Sequence, residues 1–241
     1  MPVYSERQPA YRWGGGFDED ELQRGLRALD GSPVTGPGSD EAAASDPAWG
    51  HHFSSALVAR EPPGLPVPAG AFAEAQRRII SYEFSDPAIV QAHFDERHSL
   101  LGRRMLLELK VLGLHLLCGV LVAEVRDEQS AQCTVWGFRY ETLAGHVEAG
   151  AEWFLLSKNH ATGEVHFRIE AAWRQGNLPN WWTRLGFHTL ARHYQRAWHR
   201  SAYARLRKFV HARDLPVLPR SRAIIQPFQP AVSEPVYERE S

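Results

Sequence analysis

The chain has 241 residues, a formal net charge of −1 at pH 7, and 44% hydrophobic residues. This length suits one large domain with a core that needs no disulfides or metals, and a charge so near zero excludes a molecule that binds nucleic acid over its whole surface. Two cysteines cannot form a disulfide framework, so Cys118 and Cys133 are predicted to be reduced core residues.

Residues 1–69 are predicted to form an N-terminal extension. Asp18 begins a short amphipathic helix that runs to Leu29, and Glu21 completes a capping box three residues after it. The following segment, Gly31–Pro47, is rich in Gly, Ser, Ala, Pro and Asp. It has too little apolar surface to offset its ordering entropy, so we interpret it as a loop or disordered linker.

Most of the central part of the chain is predicted to be strand. Trp49–Val58 carries apolar residues expected to dock on the main domain, and Phe72–Phe84 ends in β-forming residues, so we interpret it as a strand. Asp86 and Pro87 are typical of a helix start and predict a short helix to about Asp95. Alternating apolar residues and short breaks then predict antiparallel hairpins from five strands: Leu101–Gly113, His115–Arg126, Gln132–Tyr140, Glu148–Ser157 and Glu164–Trp173.

The last predicted element is a long helix over Trp181–Arg213, where apolar residues recur at three- and four-residue spacing. Residues 70–214 are therefore predicted to be one α+β domain, and residues 215–241 a Pro-rich tail. In this domain a curved antiparallel β-sheet wraps around the long helix, because each layer must bury its apolar face against the other. Gaps between two such layers make a cavity suited to an apolar ligand.

One stretch resembles a known family. Tyr140–Gly150 reads YETLAGHVEAG and resembles the signature Tyr-x-Thr-Leu-x-Gly-His-x-Glu-x-Gly of the family called domain of unknown function nineteen-ninety. The resemblance covers about Pro62–Arg213. Four further stretches are similar to that family: Tyr82–Asp86, Leu100–Met105, Thr162–Ile169 and Trp182–Phe187.

This family is similar to the START-like (SRPBCC) helix-grip superfamily, which includes plant pollen allergens, lipid-transfer domains and polyketide cyclases. The resemblance implies the helix-grip fold, and either binding of hydrophobic ligands or catalysis of cyclisations. A shared fold does not imply one function. The family usually has a Ser-Arg pair where this chain has Trp173 and Arg174, so only the arginine matches.

Our first hypothesis is that the cavity binds a small hydrophobic molecule. The alternative is that the large side chains fill the space and leave a solid domain. The predicted ligand-binding residues lie on the inner strand faces and on the long helix: Met105, Leu107, Trp136, Thr142, Trp153, Phe167, Trp173, Tyr194 and Trp198.

A second hypothesis is an enzyme that acts on a cavity-bound substrate. His146 would be the general base, Glu148 would orient it, and Tyr140 would donate a proton. The competing interpretation is that these residues and the flanking glycines build a tight turn between two strands. The chain has no Gly-x-Ser-x-Gly nucleophile motif.

A third hypothesis uses the long helix, because Trp181–Arg213 contains many arginines and no acidic residue. Such a face could bind an acidic partner or nucleic acid, or it could simply be solvated. The histidines show no His-Glu-x-x-His spacing, so neither a metal nor a cofactor is predicted. No apolar run reaches the roughly 20 residues of a membrane span, and the N-terminus does not have the pattern of a signal peptide. The protein is therefore expected to be cytoplasmic.

Overall fold

The structure, a computed structural model, describes residues 10–175, 181–211 and 236–238, with side chains over 10–174 and 194–211. Its elements in chain order are β1 (Ala10–Trp13), α1 (Glu19–Ala28), α2 (Asp40–Ser45), β2 (Gly50–Arg60), α3 (Ala71–Ile80), β3 (Val90–His93), β4 (Arg104–Val111), β5 (Leu114–Gln129), β6 (Cys133–Thr142), β7 (Glu148–Asn159), β8 (Glu164–Gln175), α4 (Trp181–His211) and β9 (Val236–Glu238).

The strands form one antiparallel sheet in the order β3-β4-β5-β6-β7-β8-β2-β9, with β1 added beside the first part of β5. Strands β4 to β8 follow one another as hairpins, as the short breaks in the sequence predicted. The register shifts between Val122 and Glu124 where β5 passes from β4 to β6. Such an irregularity bends a strand and increases its twist.

The inner face of the sheet packs against α4, which confirms the predicted α+β helix-grip arrangement. Trp198 on α4 lies 6.3 Å from the ring of Phe154 on β7, and Tyr203 lies 5.8 Å from the ring of Phe167 on β8. These residues belong to one cluster of buried hydrophobic side chains from most strands, α3 and α4. Burial of this cluster holds the two layers together.

The outer face of the sheet is covered by the N-terminal segment. The Asp18 carboxylate accepts a hydrogen bond of 2.8 Å from the Glu21 N–H, and the Glu21 carboxylate accepts one of 3.0 Å from the Asp18 N–H. This pair confirms the predicted capping box. Leu29 at the end of α1 is fully buried against Leu106 and Leu117 of the sheet.

The segment interpreted as a linker is ordered instead. It contains α2, and Val34 forms a β-bridge with Leu143. The Thr35 N–H donates a hydrogen bond of 2.8 Å to the carbonyl oxygen of Thr142. Backbone pairing with the sheet therefore supplies the order that its own composition does not provide.

The segment expected to dock on the main domain is β2, which pairs with β8 along its length. The boundary expected at residue 70, between the N-terminal extension and the α+β domain, therefore lies after a strand of the main sheet. Residues 50–60 are part of that sheet and not of a separate extension.

Two predictions between residues 72 and 95 were wrong. Phe72–Phe84 is mostly the helix α3, whose Phe72, Ala75 and Ile79 are buried at helical spacing. The helix predicted after Asp86 is a single turn, because the chain enters β3 and pairs with β4. Strand pairing and packing against the core outweighed the local signals at both places.

Helix α4 confirms the predicted long helix over residues 181–211. The side chains of Arg184, Leu185, Leu190 and Arg192 lie outside the described residues, as does the predicted tail apart from Val236–Glu238. None of the described helices is long and apolar enough to cross a membrane.

Candidate functional site

A cavity of about 230 Å³ lies between the inner face of the sheet and α4. Its walls are mainly apolar and include Leu107 and Leu109 of β4, Val147 before β7, Ala171 of β8 and Trp198 of α4. Small-molecule sites are typically concave and apolar, with a few polar groups that orient the ligand. This cavity has that character.

The structure brings only part of the predicted ligand-binding set to the cavity. Five of the nine residues line it: Leu107, Thr142, Trp173, Tyr194 and Trp198. Met105, Trp136 and Phe167 are buried in the surrounding hydrophobic cluster without lining the space. The prediction that this set binds a ligand stays a prediction.

Trp153 lies on the opposite face of the sheet from the cavity. Its indole N–H donates to the Asp40 carboxylate at 3.1 Å, and the Arg126 guanidinium lies 4.5 Å from its ring. Its neighbours Phe154 and Glu152 face inward, and alternate strand residues point to opposite faces. The expectation that Trp153 faces the cavity was therefore wrong. The inner face of β7 carries its two neighbours instead.

A small polar group stands on the otherwise apolar wall. The Tyr140 hydroxyl donates a hydrogen bond to Glu152 Oε2, and both side chains are 9% exposed. Tyr82 lines the same cavity and is 4% exposed. Its hydroxyl makes no hydrogen bond of normal geometry to the residues that the structure describes, although the Tyr140 hydroxyl is close enough to interact with it.

Burial sets the protonation of this group. Burial raises the pKa of Glu152 to about 7, with a further rise from Glu148, against the lowering effect of the Tyr140 hydrogen bond. Burial also raises the pKa of Tyr82 well above its usual value, and the nearby Glu152 adds to that rise against a lowering effect of the Tyr140 hydroxyl. The Tyr82 hydroxyl therefore keeps its proton, and Glu152 changes charge close to neutral pH.

The residues of the predicted acid-base pair line the cavity but do not contact each other through their side chains. The backbone N–H of Glu148 donates a hydrogen bond of 3.1 Å to Nδ1 of His146. In the part of the chain that the structure describes, no hydrogen bond joins this ring to the Glu148 carboxyl. Burial lowers the pKa of His146 to about 4 and raises the pKa of Glu148. Gly145 beside them has φ +88°, so this segment is a turn that favours glycine.

Several basic residues of α4 serve the fold itself. Arg207 Nε donates to the carbonyl oxygen of Leu57 at 2.8 Å, and Arg205 Nε donates to that of Glu83 at 3.3 Å. The described residues that remain exposed on α4 include three cations: Arg196, Arg200 and Lys208. Binding of an acidic partner or nucleic acid at this helix stays a prediction.

The sequence interpretation missed Glu152 and Tyr82. The alternation along β7 could have identified Glu152, because it places this residue on the same strand face as Phe154 and Leu156, which are fully buried. An acidic residue on such a face is buried unless a strand bulge intervenes. No comparable signal existed for Tyr82, whose position depends on the end of α3. Among the described residues, no group of three or more His, Cys, Asp or Glu could hold a metal ion.

The fold and the site define an α+β protein of the helix-grip class with a mainly apolar cavity between its sheet and its long helix. The chain belongs to the family described as Domain of unknown function (DUF1990), whose model matches residues 39–205. The match begins well before the resemblance seen in the sequence and includes β2, in keeping with the place of that strand in the main sheet.

Further comparisons concern more distant proteins. A comparison with curated proteins finds no match. The crystal structure of Ara h 8.0201 is similar at 12% identity and a TM-score of 0.41, over 68% of this chain and 99% of that one. The di-domain ARO/CYC StfQ from the steffimycin biosynthetic pathway is similar at 11% identity and a TM-score of 0.44. That similarity covers 83% of this chain and 63% of the StfQ chain.

Proposed function

We propose that this protein binds a small, largely apolar molecule in the cavity between the sheet and α4. The observation that carries the proposal is a cavity of about 230 Å³ with mainly apolar walls, beside the buried hydrophobic cluster that joins the sheet to α4. Small-molecule sites are typically concave spaces with mainly apolar walls and a few polar groups, and a space of this kind is a reason to expect an occupant.

The chemistry of the walls supports a neutral occupant over a charged one. None of the described residues that line the cavity is Lys or Arg, while Glu148 and Glu152 bring acidic groups to it. An anionic ligand would meet these carboxyls without a compensating cation. Transfer of apolar surface from water to such walls is favourable by roughly 25 cal/mol per Å².

The proposal is tested with N-phenyl-1-naphthylamine, a neutral apolar dye whose emission rises in an apolar cavity. Saturable emission with one dye per chain is expected for the wild type. Ala171→Phe is expected to abolish it, because Ala171 lies on the cavity wall opposite Glu152 in the β7–β8 pairing. Ala123→Phe adds the same side chain at an exposed position of β5 and should leave the emission unchanged.

Emission that persists in Ala171→Phe would place the dye elsewhere and contradict the proposal, as would its absence from the wild type. Native mass spectrometry of the protein from its own host adds an independent measurement. A small molecule released in stoichiometric amount on denaturation would support the proposal and identify the occupant.

The enzyme hypothesis has weaker support. His146 has one ring nitrogen engaged by the Glu148 backbone, and its pKa of about 4 makes it a poor base near neutral pH. Glu152 has the better-matched pKa but was not part of that hypothesis. Ligand binding is therefore the function that the geometry supports best.

A further inference from the structure

The Tyr82 hydroxyl stands at the cavity wall without a hydrogen bond of normal geometry to the described residues, although the Tyr140 hydroxyl lies near it. The side chain is 4% exposed and lines the cavity, and its hydroxyl has no partner of normal geometry among the described residues. Buried polar groups in native proteins are nearly always paired, so each exception calls for an explanation. A ligand that accepts the hydrogen bond is one such explanation.

The backbone at Tyr82 provides a second, independent observation. Helix α3 ends with the Tyr82 N–H donating to Ile79 O at 3.1 Å and the Glu83 N–H donating to Arg78 O at 2.9 Å. This is the Schellman pattern of helix ends, in which the residue at the position of Tyr82 is left-handed and is usually glycine. Tyr82 adopts φ +58° there. Strained backbone of this kind is often found at ligand sites, and here it belongs to a residue whose side chain lines the cavity.

The neighbouring Tyr140 does not serve the same purpose. Its hydroxyl hydrogen is directed to Glu152 Oε2, so it has no proton left to donate to a ligand. The Tyr82 ring is held in place by Phe84, at 4.8 Å, and by Phe154, at 5.8 Å. The donor is therefore preorganised, and a ligand need not order it.

We propose that the ligand is an apolar molecule with one neutral, hydrogen-bond-accepting oxygen, of the ketone class, and that the Tyr82 hydroxyl donates to that oxygen. This inference rests on the proposed function, since it names the chemistry of the occupant of the same cavity. It excludes plain hydrocarbons as preferred ligands, because they would leave the hydroxyl unpaired. It also excludes carboxylates, which would approach Glu152 and Glu148 without a cation.

The test compares 1-tetralone with tetralin, two bicyclic molecules that differ by one carbonyl oxygen. Each is used to displace N-phenyl-1-naphthylamine from the wild type and from Tyr82→Phe. The wild type is expected to bind 1-tetralone more tightly than tetralin. Tyr82→Phe should lose affinity for 1-tetralone on the order of tenfold, with tetralin binding unchanged, because only the donor is removed.

Tyr203→Phe is the matched control. Tyr203 is also a buried phenol on the inner side, but its hydroxyl is hydrogen-bonded to Ser54 and it does not line the cavity. The preference for 1-tetralone should survive this change. The melting temperature of Tyr82→Phe should equal or exceed that of the wild type, because an unpaired buried hydroxyl is removed.

The failures of the two proposals are distinguishable. If the dye binds but wild type and Tyr82→Phe have the same ratio of 1-tetralone to tetralin affinity, the ketone inference is overturned and the cavity function stands. If the dye does not bind the wild type, both are overturned. A clear loss of stability in Tyr82→Phe would show an internal partner for the hydroxyl and would also overturn the inference.

Discussion

The indole N–H of Trp198 donates a hydrogen bond of 2.8 Å to the hydroxyl oxygen of Ser85, which ties α4 to the turn that follows α3. The Ser85 hydroxyl in turn donates to the carbonyl oxygen of Val90 at 2.6 Å, at the start of β3. Because Trp198 and Val90 both line the cavity, this short chain of hydrogen bonds holds one of its walls.

Replacement of Trp198 tests how much this side chain contributes to the stability of the cavity wall. Trp198→Ala removes a buried ring and its hydrogen bond, and is expected to lower the free energy of unfolding by about 3–5 kcal/mol. Trp198→Phe keeps most of the ring and should cost less. Urea denaturation measures both. Trp13→Ala is the control, because Trp13 is 68% exposed and should change stability by no more than about 0.5 kcal/mol. A near-neutral Trp198→Ala would show that this side chain does not anchor α4.

Lys158 and Glu61 form a buried ion pair at 2.8 Å, and the Lys158 side chain is fully buried. Glu61 also accepts a hydrogen bond of 2.8 Å from the Phe72 N–H near the start of α3. Lys158→Met leaves that carboxylate buried without its cation, so a loss of about 3–5 kcal/mol is expected by chemical denaturation.

The control for this pair is Arg60, whose ion pair with Glu164 is largely exposed. Arg60→Met should cost less than about 1 kcal/mol, because solvent screens such pairs. Adding Glu61→Gln to Lys158→Met should recover part of the loss, since no charge then remains buried. If Lys158→Met and Arg60→Met lose the same stability, burial does not make the Lys158–Glu61 pair more important than the exposed pair.

The raised pKa of Glu152 leads us to expect a specific dependence of stability on pH. Its pKa in the folded protein, about 7, lies above its usual 4.5, so the folded state binds the proton more tightly than the unfolded state. Its contribution to stability is complete below about pH 4.5 and is lost as the pH rises through about 7. Glu152→Gln, which keeps an acceptor for Tyr140, should therefore gain stability over the wild type at pH 8 and not at pH 4.5.

The expected difference at pH 8 is on the order of 3 kcal/mol, at about 1.4 kcal/mol per pKa unit. It is measured as the difference in melting temperature between the two proteins across this pH range. The lowered pKa values of His146 and His199 destabilise both proteins as the pH falls below about 6.5, so their effect cancels in the comparison. A difference that does not change with pH would mean that Glu152 titrates normally.

Substitutions at Gly163 and Gly31 distinguish the stability cost of a left-handed backbone from the cost of a steric clash. Both have positive φ, +72° and +80°, but a Cβ at Gly163 would collide with the carbonyl oxygen of Glu61, whereas Gly31 has open space around it. Gly31→Ala should cost roughly 1–2 kcal/mol from the left-handed conformation alone. Gly163→Ala should cost at least about 2 kcal/mol more, from displacement of the β2 end. Thermal denaturation distinguishes them, and equal losses would exclude a steric role.

Substitutions of His146 distinguish a structural role in the turn from a catalytic role. His146→Ala removes the acceptor of the Glu148 N–H, and a loss of roughly 1–2 kcal/mol is expected, with dye binding retained. His146→Asn should restore part of the stability, because its amide oxygen can accept the same hydrogen bond. A stable His146→Ala protein that loses only a turnover found with a cavity-bound substrate would favour the enzyme hypothesis instead.

Local patterns in the chain predicted the elements that depend on nearby residues alone. The capping box of Asp18 and Glu21 involves residues three apart, and the hairpins from β4 to β8 follow from alternation and short breaks. The stripe of α4 is likewise a short-range pattern, and it correctly placed Trp198 against the sheet. Such features need little information from distant parts of the chain.

Trp153 and Phe72–Phe84 were assigned wrongly from the sequence, for two different reasons. Trp153 is apolar in character, yet it faces away from the cavity because it alternates along β7 with Glu152 and Phe154, which face inward, and Asp40 accepts its N–H on the outer face. Phe72–Phe84 contains β-forming residues, yet most of it is helical because Phe72, Ala75 and Ile79 pack into the core. Packing against distant parts of the chain outweighed the local β preference of Phe72–Phe84.

The sequence by itself determined the class of fold, since hydrophobic periodicity of two and of 3.6 residues requires a sheet face and a helix stripe to bury each other. Only the tertiary structure decided what the cavity wall contains. Tyr82 follows the end of a helix, while Tyr140 and Glu152 come from two paired strands, and neither of these two is close to Tyr82 in the chain. Their protonation follows from burial, which is a property of the assembled core and of no single residue.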